Sequence, residues 1–271
     1  MIRTLVFVIF VLLVRTGSAQ ELFRIPARFR SLGNASVSLQ SPLAVFSNPA
    51  GFASETTMAF GAQYENRFML SELSIRSAFL LLPVGQTNFG GSFSQFGASD
   101  YHEDKLSLGV AKRLSSRFSA AVQFHYFSLK LPENRQRATT VIADLGAQYQ
   151  LADDFWLGAQ VFNPHELAVE DLHLELDYPM VLRLGAHKTF DNLLLVAFEL
   201  KKHGEQALGV SSGMELQLKK QLQLRVGIET QWSLFSMGVG YSLKGIQTDL
   251  TFSYHQYLGY SPSFSIYYQL P

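Results

Sequence analysis

Most of the chain alternates between apolar and polar residues with a period of two, which is the pattern that most constrains its fold. Leu224, Val226 and Ile228, for example, alternate with Arg225 and Glu229. A period of two places alternate side chains on opposite faces of a β-strand. Turn residues separate about fourteen such segments, an even number as in bacterial single-chain barrels. The segments are 56–64, 72–82, 86–96, 104–113, 117–129, 138–151, 154–162, 179–189, 192–202, 207–218, 221–231, 233–243, 246–257 and 261–270.

The connections between these segments are tight after the even-numbered segments and mostly longer after the odd-numbered ones. The longest spans 163–178. Outer-membrane barrels have short periplasmic turns and longer extracellular loops. The pattern therefore predicts that both termini are periplasmic. The tight turns are Ser115-Ser116, Asp153-Asp154, Asp191-Asn192, Lys219-Lys220 and Lys244-Gly245.

The composition favours the same fold class. Aromatic residues make up 13% of the chain, charged residues only 16%, and there is no cysteine. We predict an all-β protein, a transmembrane antiparallel β-barrel of about 14 strands with an N-terminal lumenal hatch or plug. A soluble exported β-domain is the alternative. Aromatic residues near segment ends, among them Phe127, Tyr178, Tyr257 and Tyr260, are predicted to form interfacial girdles.

The first residues have the pattern of a secretory signal peptide. Arg3 precedes an unbroken apolar run from Leu5 to Val14, and small residues up to Ala19 provide a cleavage site. An N-terminal anchor helix is the alternative. The predicted division is a signal peptide at 1–19, a hatch or plug segment at 20–55 and a transmembrane barrel at 56–271.

The chain has 22 basic and 22 acidic residues, and cleavage would remove two basic ones, Arg3 and Arg15. This balance predicts no nucleic-acid partner. We predict outer-membrane lipid as a partner, no cofactor and no metal site. A G-x-S-x-G match centred on Ser211 lies inside a strand pattern, whereas a nucleophile elbow needs a strand-to-helix turn. No catalytic residue is therefore assigned, and we predict a protein that is not an enzyme.

Ionisable residues of both signs occupy the face of the strands opposite the apolar one. A barrel keeps such residues out of the lipid, so we predict that they face the lumen. They form either a hydrophilic channel lining or a set of partners for Arg28, Arg30 and Glu55 of the plug. These lumen-facing residues are Asp144, Arg183, His187, Glu199, Arg225, Glu229, Asp249 and His255.

The stretch V-F-S-N-P-A-G-F-A, residues 45–53, combines turn residues with apolar flanks just before the first segment. Pro49 and Gly51 favour a turn. An exposed loop has no need of Phe46 and Phe52, so we predict that these rings pack inside the barrel wall. Asn48 is expected to bond local backbone, as such side chains do at turns.

Two motifs in this region resemble the N-terminal region of FadL-type outer-membrane proteins, and more closely their PorV/PorQ branch. Residues 28–35 read R-F-R-S-L-G-N-A, and residues 48–52 read N-P-A-G-F. The resemblance implies that this segment folds into the barrel as a hatch. The residues assigned to the hatch motif are Arg28, Gly33, Phe46, Asn48, Pro49, Ala50, Gly51 and Phe52.

The resemblance implies two functions. PorV/PorQ-type members are accessory or docking components of type IX secretion, which implies secretion-machinery proteins as partners. FadL-type members pass long-chain fatty acids or other hydrophobic small molecules. We predict the docking function, with the channel as the alternative. An apolar pocket with an opening in the wall would favour transport. A filled lumen with an exposed apolar loop patch would favour docking.

Overall fold

The computed structural model describes residues 25–98, 101–130, 137–165, 168–169, 176–231 and 233–270. The predicted signal peptide and residues 20–24 of the predicted plug lie outside these ranges. One short α-helix, α1 (Ala27–Ser31), precedes the strands. Four 3-10 helices follow at Pro42–Phe46, Pro49–Phe52, Arg67–Met69 and Ser71–Leu73. No helix in the described part of the chain is long and apolar enough to cross a membrane.

The rest of the described chain consists of strands. They are β1 (Ala59–Asn66), β2 (Ser74–Val84), β3 (Thr87–Gly97), β4 (His102–Arg113), β5 (Phe118–Lys130), β6 (Arg137–Ala152), β7 (Phe155–Phe162), β8 (Ala168–Val169), β9 (Leu176–Asp177), β10 (Val181–Phe190), β11 (Leu194–His203), β12 (Gly209–Lys219), β13 (Leu222–Glu229), β14 (Leu234–Leu243), β15 (Ile246–His255) and β16 (Gly259–Gln269).

Fourteen of these strands form a closed antiparallel barrel, which confirms the predicted fold class. Each barrel strand pairs with the barrel strands before and after it in the chain, β7 pairs with β10 across the longest loop, and β1 pairs with β16 to close the wall. The predicted segments match the fourteen barrel strands in order. Two further strands, β8 and β9, were not predicted and form a separate two-stranded antiparallel sheet within the longest loop.

The alternation places apolar side chains outside and polar ones inside, as predicted. Along β13, Leu224, Val226 and Ile228 are 40%, 47% and 54% exposed, whereas Arg225 and Glu229 are buried. An apolar outer face over all fourteen strands is the surface that a barrel presents to lipid. The girdle prediction is wrong for Phe127 and Tyr178. Both rings are buried against each other, with centroids 5.0 Å apart.

The tight connections all lie at one end of the barrel, which we call the turn end. At the β14–β15 turn, Lys244 and Gly245 have φ values of +48° and +84°. Positive φ at both central residues gives the two-residue hairpin turn that matches the twist of paired strands. Strand β1 begins and β16 finishes at this end, so both ends of the barrel lie on one side.

The N-terminal segment, residues 25–58, lies inside the barrel as far as residue 53. Helix α1 contacts β13 to β16, while the 3-10 helix Pro49–Phe52 contacts β3 to β6 on the opposite side of the lumen. All residues from 25 to 53 except Arg28 and Gln40 are buried. The first strand begins at Ala59 rather than at residue 56, because residues 53–58 still connect the lumen to the wall.

Candidate functional site: the lumen and its N-terminal segment

Asn48 holds the turn of the N-terminal segment against the wall. Its Oδ1 accepts from the amide of Ala50 at 3.1 Å, which caps the 3-10 helix Pro49–Phe52. Its Nδ2 donates to the carbonyl of Val37 at 2.7 Å and approaches those of Ala147 and Ala159 at 3.2 Å. One buried amide therefore joins the turn, the preceding loop and strands β6 and β7.

The apolar flanks of this turn pack into the lumen. Phe52 is fully buried, and Phe46 is 7% exposed. The Phe46 ring meets Phe79 of β2 edge to face at 5.8 Å, a favourable geometry for aromatic pairs. Asn88 of β3 donates to the carbonyl of Phe52 at 2.6 Å. The rings supply apolar contact, and the amides satisfy the backbone around them.

Two glycines of the hatch motif, Gly33 and Gly51, permit neighbouring backbone to approach the segment closely. Gly33 has a φ of +63°, and a Cβ there would lie 2.3 Å from the carbonyl oxygen of Ile228. A Cβ on Gly51 would lie 2.4 Å from the carbonyl oxygen of Leu39. No other residue type fits either position without moving backbone.

Glycines in the wall provide the matching space, and sequence reasoning missed them. A Cβ on Gly227 would lie 2.0 Å from the amide nitrogen of Gly33, and one on Gly146 would lie 2.1 Å from Oδ1 of Asn48. The sequence pattern that could have identified them is the presence of glycine at inward-facing positions of several strands. The inward glycines that touch the segment are Gly90, Gly146, Gly158, Gly185, Gly213, Gly227 and Gly238.

Arg183 of β10 is the centre of one buried ion-pair network. Its guanidinium donates to both oxygens of Glu199 at 2.6 and 3.0 Å, and to Gln160 at 2.7 Å. It also reaches the hydroxyls of Ser47 and Ser36 in the N-terminal segment at 3.0 and 2.9 Å. Glu199 in turn accepts from the amides of Ser36 and Val37, both at 2.9 Å.

Arg28 belongs to a second network on the other side of the lumen. It donates Nε and Nη2 to Glu215 of β12 at 3.1 and 3.2 Å. Arg225 shares Glu215 at 2.5 Å and also donates to Asp249 at 2.7 Å. Burial acts to lower the pKa of Arg28, but nearby anionic groups, Glu215 foremost, raise that pKa above its ordinary value, so the guanidinium stays charged.

Two further carboxylates link the segment to the wall, Glu65 from the wall and Glu55 from the segment itself. Arg30 forms an ion pair with Glu65 of β1 at 3.0 Å, and Arg67 lies 3.4 Å from the same carboxylate. Glu55 accepts from Gln269 of β16 at 2.9 Å. Burial raises the pKa of Glu55 above its ordinary value, while the Gln269 hydrogen bond and nearby Arg28 act in the opposite direction.

The remaining residues assigned to the lumen occupy separate positions. Asp144 contacts His125 at 3.3 Å and accepts from Gln160 at 2.7 Å. Glu229 accepts from Asn34 of the segment and from Lys201. His187 Nδ1 lies 3.1 Å from the hydroxyl of Ser38.

His255 lies apart from this group. It is half-buried at the loop end of β15, where its Nδ1 accepts from the amides of Tyr257 and Leu258. Seven of the eight residues therefore lie in the buried lumen and one at the rim. Six of these seven contact the segment directly or through one residue: Asp144, Arg183, His187, Glu199, Arg225 and Glu229.

The arrangement is a packed lumen whose polar groups largely bond one another and the segment. Ser211 lies within the extended strand β12, so G-x-S-x-G does not form a nucleophile elbow here. No cluster of three potential metal-ligating side chains occurs in the described ranges. Residues 25–53 occupy much of this lumen, since all of them except Arg28 and Gln40 are buried and they contact strands on both of its sides.

Replacing Asn48 and Pro49 together by alanine tests how the turn is held. The change leaves the Ala50 amide and the Val37 carbonyl with fewer buried partners, and we expect a loss of about 1–3 kcal/mol in the free energy of unfolding. Urea unfolding in lipid measures it, and Ser116→Ala in an exposed turn is the control. Equal stability of the two variants would contradict this role for Asn48.

Comparison with known proteins places the fold. No protein-family model and no curated protein matches the chain. Solved structures do match. The toluene transporter TbuX of Ralstonia pickettii aligns with a TM-score of 0.67 at 13% identity, over 91% of this chain and 98% of that chain. The CymD monoaromatic hydrocarbon channel aligns with a TM-score of 0.71 at 12% identity, over 92% and 99%.

A FadL homologue of Pseudomonas aeruginosa aligns with a TM-score of 0.64 at 13% identity, over 90% of this chain and 98% of that chain. At such identities the likeness concerns the fold. The chain therefore has the fourteen-stranded fold of FadL- and TodX-type outer-membrane barrels. The finer resemblance to the PorV/PorQ branch is not among these likenesses.

Proposed function

We propose that this protein is a bacterial outer-membrane channel for small hydrophobic molecules, with residues 20–55 as its hatch. The observation that carries the proposal is the match, over nine-tenths of the chain, to barrels described as toluene and monoaromatic hydrocarbon transporters. The channel that was the alternative at the sequence level thereby becomes the favoured function. It needs no catalytic group, and we propose that the protein is not an enzyme.

The way the N-terminal segment is held supports a hatch that moves in part. Its first half contacts the wall through carboxylates, as in Arg28–Glu215 and Arg30–Glu65. Its second half contacts β3 to β7 mainly through neutral amides and rings, as in Asn88 with Phe52, and accepts one hydrogen bond from Arg183 at Ser47. Neutral hydrogen bonds are weaker than charge-assisted ones. We propose that the second half moves first, and that the turn end faces the periplasm.

Uptake by whole cells tests the channel. Cells that make the protein are expected to take up radiolabelled toluene several-fold faster than cells with the empty vector, because the outer membrane slows hydrophobic solutes. Arabinose, a neutral polar molecule, is expected to enter at the vector rate, since the lumen is filled. The Asn48→Ala, Pro49→Ala variant is expected to increase toluene uptake.

The outward Gly91→Ala variant is the control for uptake, because the added Cβ has no neighbour closer than 3.4 Å. It should behave as the wild type. Toluene uptake at the vector rate would contradict the channel. Arabinose entry as fast as toluene entry would show a water-filled pore instead.

The second candidate is the docking component of a secretion or envelope assembly. It is favoured by an apolar patch at the loop end, formed by Met69, Leu70, Tyr257, Leu258 and Tyr260, which are 50–77% exposed. Large exposed apolar patches mark interaction sites. Purification from native outer membrane with mass spectrometry of co-eluting proteins tests it. A stoichiometric partner that is lost in a Met69→Ser, Tyr257→Ser variant would favour docking over transport.

A further inference from the structure

A cavity of about 350 Å³ lies between the N-terminal segment and strands β7, β10 and β11. Asp153, Asp154 and Asn192 of the tight turns line it, so it lies at the turn end. Its volume is at the lower end of the range for small-molecule sites. The side chains that define its interior are Arg28, Gln40, Trp156, His187, Thr189 and Leu195.

The N-terminal segment meets this cavity at a distinctive place. Between residues 25 and 53, Arg28 and Gln40 are the two that are not buried, and both line the cavity. The remaining residues of that stretch are enclosed by the wall. The cavity is therefore the place at the turn end where the N-terminal segment borders open space.

The polar side chains of the cavity are held in position and retain hydrogen-bonding capacity. Arg28 uses Nε and Nη2 for Glu215, which leaves the N–H groups of Nη1 for another acceptor. His187 uses Nδ1 for Ser38, which leaves Nε2. Gln40 donates Nε2 to Ser38 and Gln148, which leaves its carbonyl oxygen.

Apolar surface completes the lining. Trp156, Leu39 and Leu195 border the same space. An indole ring offers a broad apolar face with a polar edge, which suits an aromatic or short aliphatic group. A pocket of apolar walls with a few oriented polar groups is the usual form of a small-molecule site.

The charges around the cavity disfavour an anion. Arg28 and Arg225 are matched by Glu215 and Asp249, so this cluster carries no excess positive charge. At the turns, Asp153 and Asp154 add two carboxylates to the lining, and Lys188 lies 3.4 Å from Asp154. A carboxylate would therefore approach net negative charge, which lowers its local concentration.

We propose that this cavity binds a neutral small molecule with an apolar ring or short chain and one hydrogen-bonding group, and that it is where cargo rests before release at the turn end. That the bound molecule is transported rests on the proposed channel function. The inference deepens that function by selecting neutral over carboxylate-bearing molecules. The binding site itself stands on the geometry of Arg28, Gln40, His187 and Trp156.

Tryptophan fluorescence tests the site directly. The chain has two tryptophans, so a Trp232→Phe background leaves Trp156 as the single reporter. Benzyl alcohol titrated into the full-length protein in lipid is expected to change the Trp156 emission saturably. Benzoate, of nearly the same size, is expected to bind at least about tenfold more weakly because like charges repel.

Two leucines provide a matched pair of variants. Leu195→Phe fills the cavity and is expected to abolish the saturable change. Leu193→Phe, on an exposed turn residue, is expected to retain it. An unaltered response in Leu195→Phe, or equal or tighter binding of benzoate, would overturn the proposal. An absent response in the wild type would overturn it as well.

The binding experiment and the uptake experiment can give negative results independently of each other. Saturable binding of benzyl alcohol together with toluene uptake at the vector rate would support the site and contradict the channel. Fast uptake without a change in Trp156 emission would support the channel and overturn the site.

Discussion

A Gly227→Val variant is expected to displace the N-terminal segment from the barrel wall and to lower the free energy of unfolding by about 1–3 kcal/mol or more. The reason is steric. A Cβ at this position would lie 2.0 Å from the amide nitrogen of Gly33 and 2.2 Å from the carbonyl carbon of Leu32. Both are backbone atoms, so the clash cannot be relieved by a change of rotamer.

Labelling of an introduced cysteine measures the displacement. The chain contains no cysteine, so Ser31→Cys, at a fully buried position of α1, is the only thiol in its background. We expect it to resist maleimide in the parent protein and to react in the Gly227→Val protein. Gly91→Ala is the outward-facing control. Should the thiol react equally in all three, the segment would not depend on the glycine contact.

Folding of the Gly227 variant has to be checked separately. Far-UV circular dichroism and the slower electrophoretic mobility of unheated barrels report whether the wall has formed. If Gly227→Val does not fold, Gly227→Ala introduces the same Cβ with less bulk. A folded Gly227→Ala protein with wild-type stability and an unreactive thiol would contradict the prediction.

In an Arg183→Met variant the free energy of unfolding is expected to fall by about 3–5 kcal/mol, because Glu199 would be left as a buried charge without its cation. Both side chains are about 1% exposed. Adding Glu199→Gln should recover part of the loss, since the amide oxygen still accepts from Ser36 and Val37. A double-mutant cycle in urea therefore yields a coupling energy.

The same strand offers a matched control for this ion pair. Lys188 pairs with Asp154 at 3.4 Å, but both side chains are nearly half exposed. Exposed pairs contribute about 0–1 kcal/mol, so Lys188→Met should change stability little. If the Arg183 and Glu199 changes were simply additive, the buried network would not act as a unit.

The strands were predictable from the sequence because their information is local. The alternation along β13 places Leu224 outside and Arg225 inside without reference to any other strand. The turn at Lys244 and Gly245 likewise depends on two adjacent residues. By contrast, β8 and β9 have two residues each, which is too short for any period to show.

The sequence predicted which types of side chain lie in the lumen, but not which partners they contact there. The period of two indicated that Arg183 and Glu199 share the inward face, and the motif indicated that Phe46 and Phe52 are buried. The partners did not follow, because Arg183 and Ser47 are 136 residues apart in the chain. Phe127 and Tyr178 were predicted to lie in the interfacial girdles, and this was wrong because a position near a strand end does not specify what covers the ring.

The sequence by itself determined the number of barrel strands, their order, the grouping of the tight turns at one end and, for most strand residues, the face that the side chain occupies. These follow from periodicity and from pairing between neighbours in the chain. Only the tertiary structure decided where the N-terminal segment sits, which glycines receive it, which charges pair across the lumen and where space remains beside Arg28 and Gln40. Closing the barrel brings together groups that are far apart in sequence, and their contacts depend on three-dimensional packing that no local pattern encodes.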